Sequence, residues 1–271
     1  MKEQILQLPG VTLYYETRGS GPVLLLIAGG AADAGVFEDV ASVLAHDYTV
    51  VTYDPRGNSR SPLKGPSEDQ QIEVHSDDAR RLLETVADGP AAVFGNSSGA
   101  IVGLDLIAQH PTLVSRVVAH EPPMLEVLPD AARLHAFSDD VYKTYRREGV
   151  SSATHKWAVG VGLDLAGPPP GVSVPPHVVA TMKRIDSNWD LFFAHKLLPF
   201  THYVPDLPQL SAHKDRIVLA GGQDSRGQSA YRAAAWLAER FGTEVVDFPG
   251  DHGGYASQPA AFAAKLREVL G

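Results

Sequence analysis

Residues 23–28 form a continuous apolar run, Val-Leu-Leu-Leu-Ile-Ala. It is far too short to span a bilayer and has the length of a β-strand covered on both faces. Before it, residues 2–17 alternate in character and break at Pro9-Gly10, which predicts an antiparallel hairpin; Thr12, Tyr14, Tyr15 and Thr17 favour strand. Gly19-Ser20-Gly21-Pro22 ends that hairpin. After residue 28 the period changes. Residues 37–45 carry a short helical pattern, and the two kinds of segment then take turns: strands are predicted at 49–53, 91–94 and 117–119, helices at 69–87 and 100–110. Strands alternating with helices argue for an α/β fold with a mostly parallel sheet and helices on both faces.

The rhythm stops after Glu121. Residues 122–210 contain helical stretches such as 131–147, interrupted by Gly167-Pro168-Pro169-Pro170-Gly171 and by Pro175-Pro176, with no strand pattern. This stretch is expected to be a helical lid inserted between strands six and seven of a core made from residues 1–121 and 211–271. The alternation returns with strands at 216–220 and 244–248 and helices at 228–241 and 260–270. There is no internal repeat and no low-complexity tail.

Composition narrows the function classes. The 271 residues are 44% apolar and 20% charged, with 25 Gly and 20 Pro, an ordinary globular make-up. The net charge is -9, from 23 basic and 32 acidic side chains, and no basic block attracts phosphates, which argues against a nucleic-acid partner. The first nine residues contain Glu3 and no apolar stretch of the kind a signal peptide needs, so a cytoplasmic protein with no membrane partner is expected. Cysteine is absent. That removes disulfides, thiolate metal sites and a thiol nucleophile together.

The remaining nucleophile candidate lies in Gly95-Asn96-Ser97-Ser98-Gly99, a G-x-S-x-G pattern. The five residues alone are a weak signal and fit an ordinary glycine-rich turn capping a helix. Their setting, after the apolar strand 91–94 and before the apolar helix from Ala100, is what a nucleophile elbow requires. Ser97 occupies the apex, and the backbone N–H of Ser98 is the expected oxyanion donor. A serine needs a base. In this arrangement the histidine comes last in the chain, and of eleven histidines only His252 follows Asp224, in the turn Pro249-Gly250-Asp251-His252-Gly253-Gly254. Two carboxylates follow predicted strands: Glu121, stiffened by Pro122-Pro123, and Asp224, in Gly221-Gly222-Gln223-Asp224. Either one can orient His252 and stabilise its cation, although Asp224 also fits a helix cap or a partner for Arg226. A second oxyanion donor is expected from the loop after residues 23–28, where Gly29-Gly30 permits close approach; the Gly30 N–H is the candidate. No zinc motif is present: His120-Glu121-Pro122-Pro123 lacks a second histidine and cannot continue as a helix. A phosphate-binding glycine loop is absent as well.

On these motifs the chain resembles the α/β-hydrolase superfamily over essentially its whole length. Asp54-Pro55-Arg56-Gly57-Asn58-Ser59-Arg60-Ser61 looks like that superfamily's D-x-R-G-x-G-x-S turn and is taken as structural. Tyr14-Tyr15-Glu16, Ser97-Ser98-Gly99-Ala100 and His120-Glu121-Pro122-Pro123 are similar to the zearalenone lactone hydrolase branch. In that branch, as in haloalkane dehalogenases, the acid follows strand six, so the resemblance implies Glu121. The sequence departs from the branch in Asn96, in a longer lid, and in having Asp224 where the more usual superfamily acid falls. Dehalogenases use Asp as nucleophile, and Ser97 argues against that chemistry.

The stretch 122–210 holds nine aromatic residues of a chain with 3 Trp, 9 Tyr and 9 Phe, and its charges nearly cancel. A neutral aromatic lid suggests an apolar pocket, with Trp189, Phe192 and Phe193 lining it and Trp157 and Tyr203 behind them. Packing within the lid accounts for the same residues equally well. The expected activity is hydrolysis of a carboxylic ester or lactone of a hydrophobic small molecule, without cofactor or metal, by a monomer or homodimer. Carbon–carbon bond hydrolysis, cofactor-free perhydrolysis and a slow ligand-binding receptor are alternatives on the same residues.

Overall fold

A computed structural model describes residues 1–163 and 173–271. The proline-rich break at 167–171 lies outside the described residues. Strands β1 (Lys2–Leu8) and β2 (Val11–Arg18) form the expected hairpin, with Leu8 opposite Val11 across Pro9-Gly10. Strands β3 (Val23–Ile27), β4 (Thr49–Tyr53), β5 (Ala91–Asn96), β6 (Val114–His120), β7 (Ile217–Gly222) and β8 (Val246–Phe248) are mutually parallel. The hairpin joins them through an antiparallel pairing of β2 with β4, giving the order β1-β2-β4-β3-β5-β6-β7-β8.

The apolar run at 23–27 explains how this sheet is covered. Successive side chains of a strand point to opposite faces. Leu24 and Leu26 enter the apolar layer built by α1 (Glu38–Leu44), α10 (Gly254–Ser257) and α11 (Pro259–Leu270), through Phe37, Val40, Leu44, Tyr255, Phe262 and Leu266. Leu25 and Ile27 enter the opposite layer, built by α2 (Ile72–Val86), α3 (Ser98–Gln109) and α9 (Ser229–Phe241). Both faces of β3 are therefore dry, and no polar alternation survives in its sequence.

Element ends shift by up to three residues from the sequence expectation, with β5 and β7 running on to Asn96 and Gly222 and β8 beginning only at Val246. The helix expected from residue 69 begins at Ile72; ahead of it the Gln70 N–H donates to the His195 carbonyl at 2.9 Å and holds the extended approach. Strand β6 begins at Val114, three residues before its apolar run; Arg116 continues the strand and spends its guanidinium on the Val269 carbonyl at 2.8 Å.

Between β6 and β7 the described residues form helices and turns only. They are α4 (Ala131–Glu148), α5 (Val150–Val161), α6 (Pro176–His195), α7 (Leu197–Thr201) and α8 (Leu207–Ala212). Helices α4, α5, α6 and α7 share an apolar cluster of Val141, Ala153, Phe192, Phe193 and Leu197, and Ala31 from the loop after β3 completes it. At the far end α8 packs on α3. No helix among the described residues is long and apolar enough to cross a membrane.

Candidate active site

Strand register brings the candidate residues together. Asn96 and His120 are Cα partners across β5 and β6, so Ser97 and Glu121 follow side by side at one sheet edge. The next pairings, His120 with Ala220 and Gly222 with Phe248, bring the β7 and β8 ends to the same edge, and the loop after β8 carries His252. This edge includes the ends of the neighbouring strands β3 and β5, from which the chain leads to β4 on one side and to β6 on the other; open α/β sheets bind their ligands at such a switch point.

Ser97 and Glu121 share an unusual backbone. Both have positive φ, 57° and 50°, in the left-handed region that side-chain-bearing residues avoid. Such a conformation costs on the order of 1–3 kcal/mol and persists only where its surroundings overdetermine it. Here they do: the Ser97 N–H donates to the His120 carbonyl at 3.0 Å and the Glu121 N–H to the Ala220 carbonyl at 2.9 Å. The elbow glycines are required by close approach, since a Cβ on Gly95 would lie 2.3 Å from the Gly99 carbonyl oxygen and one on Gly99 2.2 Å from that of Ile27.

His252 Nδ1 and Glu121 Oε2 are 2.6 Å apart. The other oxygen, Oε1, accepts the Gly222 N–H at 2.8 Å, so both carboxylate oxygens have partners although Glu121 is wholly buried. Burial pushes the Glu121 carboxyl up, but the hydrogen bond and charge of His252, the nearby His120 and the Gly222 N–H together bring it below its ordinary value. Asp224 is directed elsewhere. Its N–H donates to the Gly250 carbonyl at 3.1 Å, its side chain is exposed, and its carboxylate takes part in no hydrogen bond or ion pair of the described residues. The turn after β7 pairs with the β8 loop through Gln223 and Asp224, which leaves Gly222 as the β7 group facing the site; Arg226 pairs with Asp247 instead.

Ser97, Ser98, Gly30 and His252 line one cavity. No hydrogen bond joins Ser97 Oγ to His252 among the described residues. The Gly30 N–H donates to Ser98 Oγ at 2.8 Å. Across the cavity stand Phe192 and Trp157, with Phe137 and Phe200. Trp189 and Phe193 are not in its wall. They stack on each other at 5.6 Å, and Phe193 stacks on Tyr145 of α4 at 5.9 Å. The reason is the 100° turn between consecutive helical residues: the 189/193 row of α6 faces its helical neighbours while Phe192 faces the sheet edge. Tyr203 is directed to the opposite layer, where its hydroxyl donates to Asp105 at 2.8 Å. No group of three or more His, Asp or Glu placed to hold a metal ion occurs among the described residues.

Residues 22–166 match the model of a family described as having the α/β hydrolase fold. The chain belongs to the α/β-hydrolase family. It is 38% identical to the uncharacterized hydrolase YraK of Bacillus subtilis, over 98% of this chain and 94% of that protein. A zearalenone hydrolase of Cladophialophora bantiana is 34% identical over 45% of this chain and 48% of its own. Among solved structures, a hydrolase from Pseudomonas aeruginosa superposes with a TM-score of 0.78 at 21% identity, covering 99% of this chain and 98% of the other. The protein is thus a hydrolytic enzyme of α/β-hydrolase fold.

Three groups around this candidate site make contacts that no motif signals. His120 is fully buried; its Nδ1 pairs with Asn96 Oδ1 at 2.8 Å, and burial drives its pKa down to about 3, so it stays neutral beneath the elbow. Asn58, in the turn taken as structural, does more than shape that turn: its Nδ2 donates to the Gly30 and Ala32 carbonyls at 3.2 and 2.7 Å. Lys196 is 1% exposed between α6 and α7 and donates to Asn58 Oδ1 at 2.6 Å and to the Arg56 carbonyl at 3.1 Å. The one sequence signal for it is a lysine set directly before the apolar Leu197-Leu198-Pro199-Phe200.

Proposed function

We propose that this enzyme hydrolyses carboxylic esters or lactones of hydrophobic small molecules through an acyl-enzyme on Ser97. The observation that carries the reading is the 2.6 Å pairing of His252 Nδ1 with a buried, doubly hydrogen-bonded Glu121, at the sheet edge where Ser97 stands on a strained turn. Glu121 holds the imidazole so that Nδ1 carries the proton and Nε2 is free to act as base. His252 Nε2 takes the Ser97 hydroxyl proton as Oγ attacks the carbonyl; the separation in the free enzyme closes when substrate is bound, as is common for catalytic hydrogen bonds. The negative oxygen of the tetrahedral intermediate lies at the N-terminus of α3, where the Ser98 N–H has no intrahelical acceptor, with the Gly30 loop opposite. Protonated His252 then gives its proton to the leaving alkoxide, and water activated by the same nitrogen cleaves the acyl-enzyme.

Residues 122–210 act as a lid, and their apolar wall of Phe192, Trp157, Phe137 and Phe200 favours a hydrophobic acyl or lactone group over a charged one. The partial likeness to a zearalenone hydrolase supports the lactone option. A serine-directed organophosphate is expected to form one adduct, on Ser97, and Ser97→Ala to abolish turnover of p-nitrophenyl esters and of aliphatic lactones. Absence of an adduct, together with unchanged turnover by Ser97→Ala, overturns the reading.

A further inference from the structure

The N–H expected to reach the substrate oxyanion from the β3 loop already has a partner. Gly30 N–H donates to Ser98 Oγ at 2.8 Å. That loop is not free to turn the N–H elsewhere. Asn58 holds the carbonyls of Gly30 and Ala32, Asn188 Nδ2 holds the Ala31 carbonyl at 2.8 Å, and a Cβ on Gly29 would lie 2.6 Å from the Asn96 carbonyl oxygen. Phe192 lies over Gly30, 3.6 Å from where a Cβ would stand. The loop is therefore clamped from both sides with its N–H on Ser98.

Ser98 has the complementary property. A hydroxyl carries one donor and two acceptor sites. One lone pair receives the Gly30 N–H, and the described hydrogen bonds include no acceptor for the Ser98 O–H proton. Its side chain is nearly buried and lines the same cavity as Ser97 and His252. A hydroxyl that accepts one hydrogen bond becomes a better donor of the next, because the chain polarises cooperatively.

We propose that the Ser98 hydroxyl is itself an oxyanion donor, backed by the Gly30 N–H, so that Ser98 supplies both its N–H and its O–H to the developing negative charge. The proposal rests on Ser97 being the nucleophile. It moves no proton from Ser98: the Ser97 proton goes to His252, and Ser98 only strengthens a hydrogen bond as the carbonyl oxygen becomes anionic. It reverses the sequence expectation for Gly30, which acts through Ser98 rather than by direct contact.

The test compares wild type, Ser98→Ala and Ser98→Thr on one p-nitrophenyl ester, with inhibition by an alkyl boronic acid and organophosphate labelling of each variant. Losing one oxyanion donor typically costs about 10²- to 10³-fold in kcat. Ser98→Ala is expected to fall in that range with KM nearly unchanged and to bind the boronic acid more weakly by a similar factor, while Ser98→Thr, which keeps the hydroxyl, retains most of both. If Gly30 instead contacts the oxyanion directly, removing Oγ uncovers its N–H, and Ser98→Ala keeps or gains kcat; that result overturns the proposal. Loss of kcat without a matching loss of boronic acid affinity also overturns it. An adduct on Ser97 in wild type keeps these failures distinct from failure of the nucleophile assignment.

Discussion

Along the sheet edge, Ser97, Glu121 and Gly222 are located by backbone: two positive φ angles, strand register, and N–H groups donated to neighbouring strands or to the Glu121 carboxylate. Across the cavity, Trp157 and Phe192 are located by side chains alone, through an aromatic cluster whose ring centroids lie 5.2–5.6 Å apart. The first wall is fixed by backbone groups that have few alternative partners. The second depends on packing, which tolerates substitution of similar volume. On the proposed function, chemistry falls to the backbone-held wall and substrate choice to the packed one.

That contrast breaks first, and hardest, at the acid. Glu121→Gln is expected to lower kcat by about 10⁴-fold, as when a triad acid is replaced by its amide, whereas Asp224→Asn stays within about twofold. Steady-state kinetics on one ester decides it, and the reverse order would mean that the 2.6 Å pair is structural.

The next largest effect separates two aromatics of the helical segment. Phe193, 1% exposed and stacked on Tyr145 and Trp189, holds the helical segment together: Phe193→Ala should cost about 3–5 kcal/mol of stability, read by urea unfolding. Trp157 lines the cavity: Trp157→Ala should lower kcat/KM for octanoyl relative to acetyl esters by about 10- to 100-fold, an effect of 1–3 kcal/mol. Equal selectivity losses in the two variants would remove the distinction between lining and supporting rings.

The smallest effect probes the joint between the two walls. Burial, aided by Arg56 and opposed by Asp78, brings the Lys196 pKa down to about 7 from an ordinary 10.5. Below pH 7 native and unfolded chains both hold the proton; between pH 7 and about 10 the unfolded chain holds it and the native chain does not, so this group makes stability rise with pH. A neutral amine still has two N–H groups, enough for the Arg56 carbonyl and Asn58 Oδ1. Wild type should therefore gain on the order of 1–2 kcal/mol relative to Lys196→Met between pH 7 and pH 9. A stability difference that does not change with pH over that window would show that the site keeps its charge.

Much of this fold is legible in one dimension because its strands are buried on both faces and read as apolar runs bounded by Gly and Pro. The elbow is legible for a different reason: Gly95 and Gly99 touch backbone, and no side chain fits there. Less could be read of the cavity wall. Trp189, Phe192 and Phe193 share a helical stretch, and only the helix's neighbours decide that Phe192 faces the site. Asn58 sits in a turn whose motif signals shape, yet its amide spans to Gly30 and Ala32, 28 and 26 residues earlier.

Local sequence was enough for everything set by short-range sterics and by solvent: the βα alternation, the glycine-flanked apex at Ser97, and a late histidine in a glycine-rich turn. Choosing between Glu121 and Asp224 was not a local matter. Both follow strands, both are carboxylates, and from residues alone both remained open. Folding separated them because β6 lies next to β5 in register and ends with Glu121 turned inward, while the turn after β7 pairs with the β8 loop and leaves Asp224 in water. The same holds for Gly30, whose N–H is committed to Ser98 only because the β3 loop and the first residue of α3, 68 residues apart, are brought together. Contacts of that kind are carried by pairwise geometry between distant segments, which no periodicity or spacing along the chain encodes.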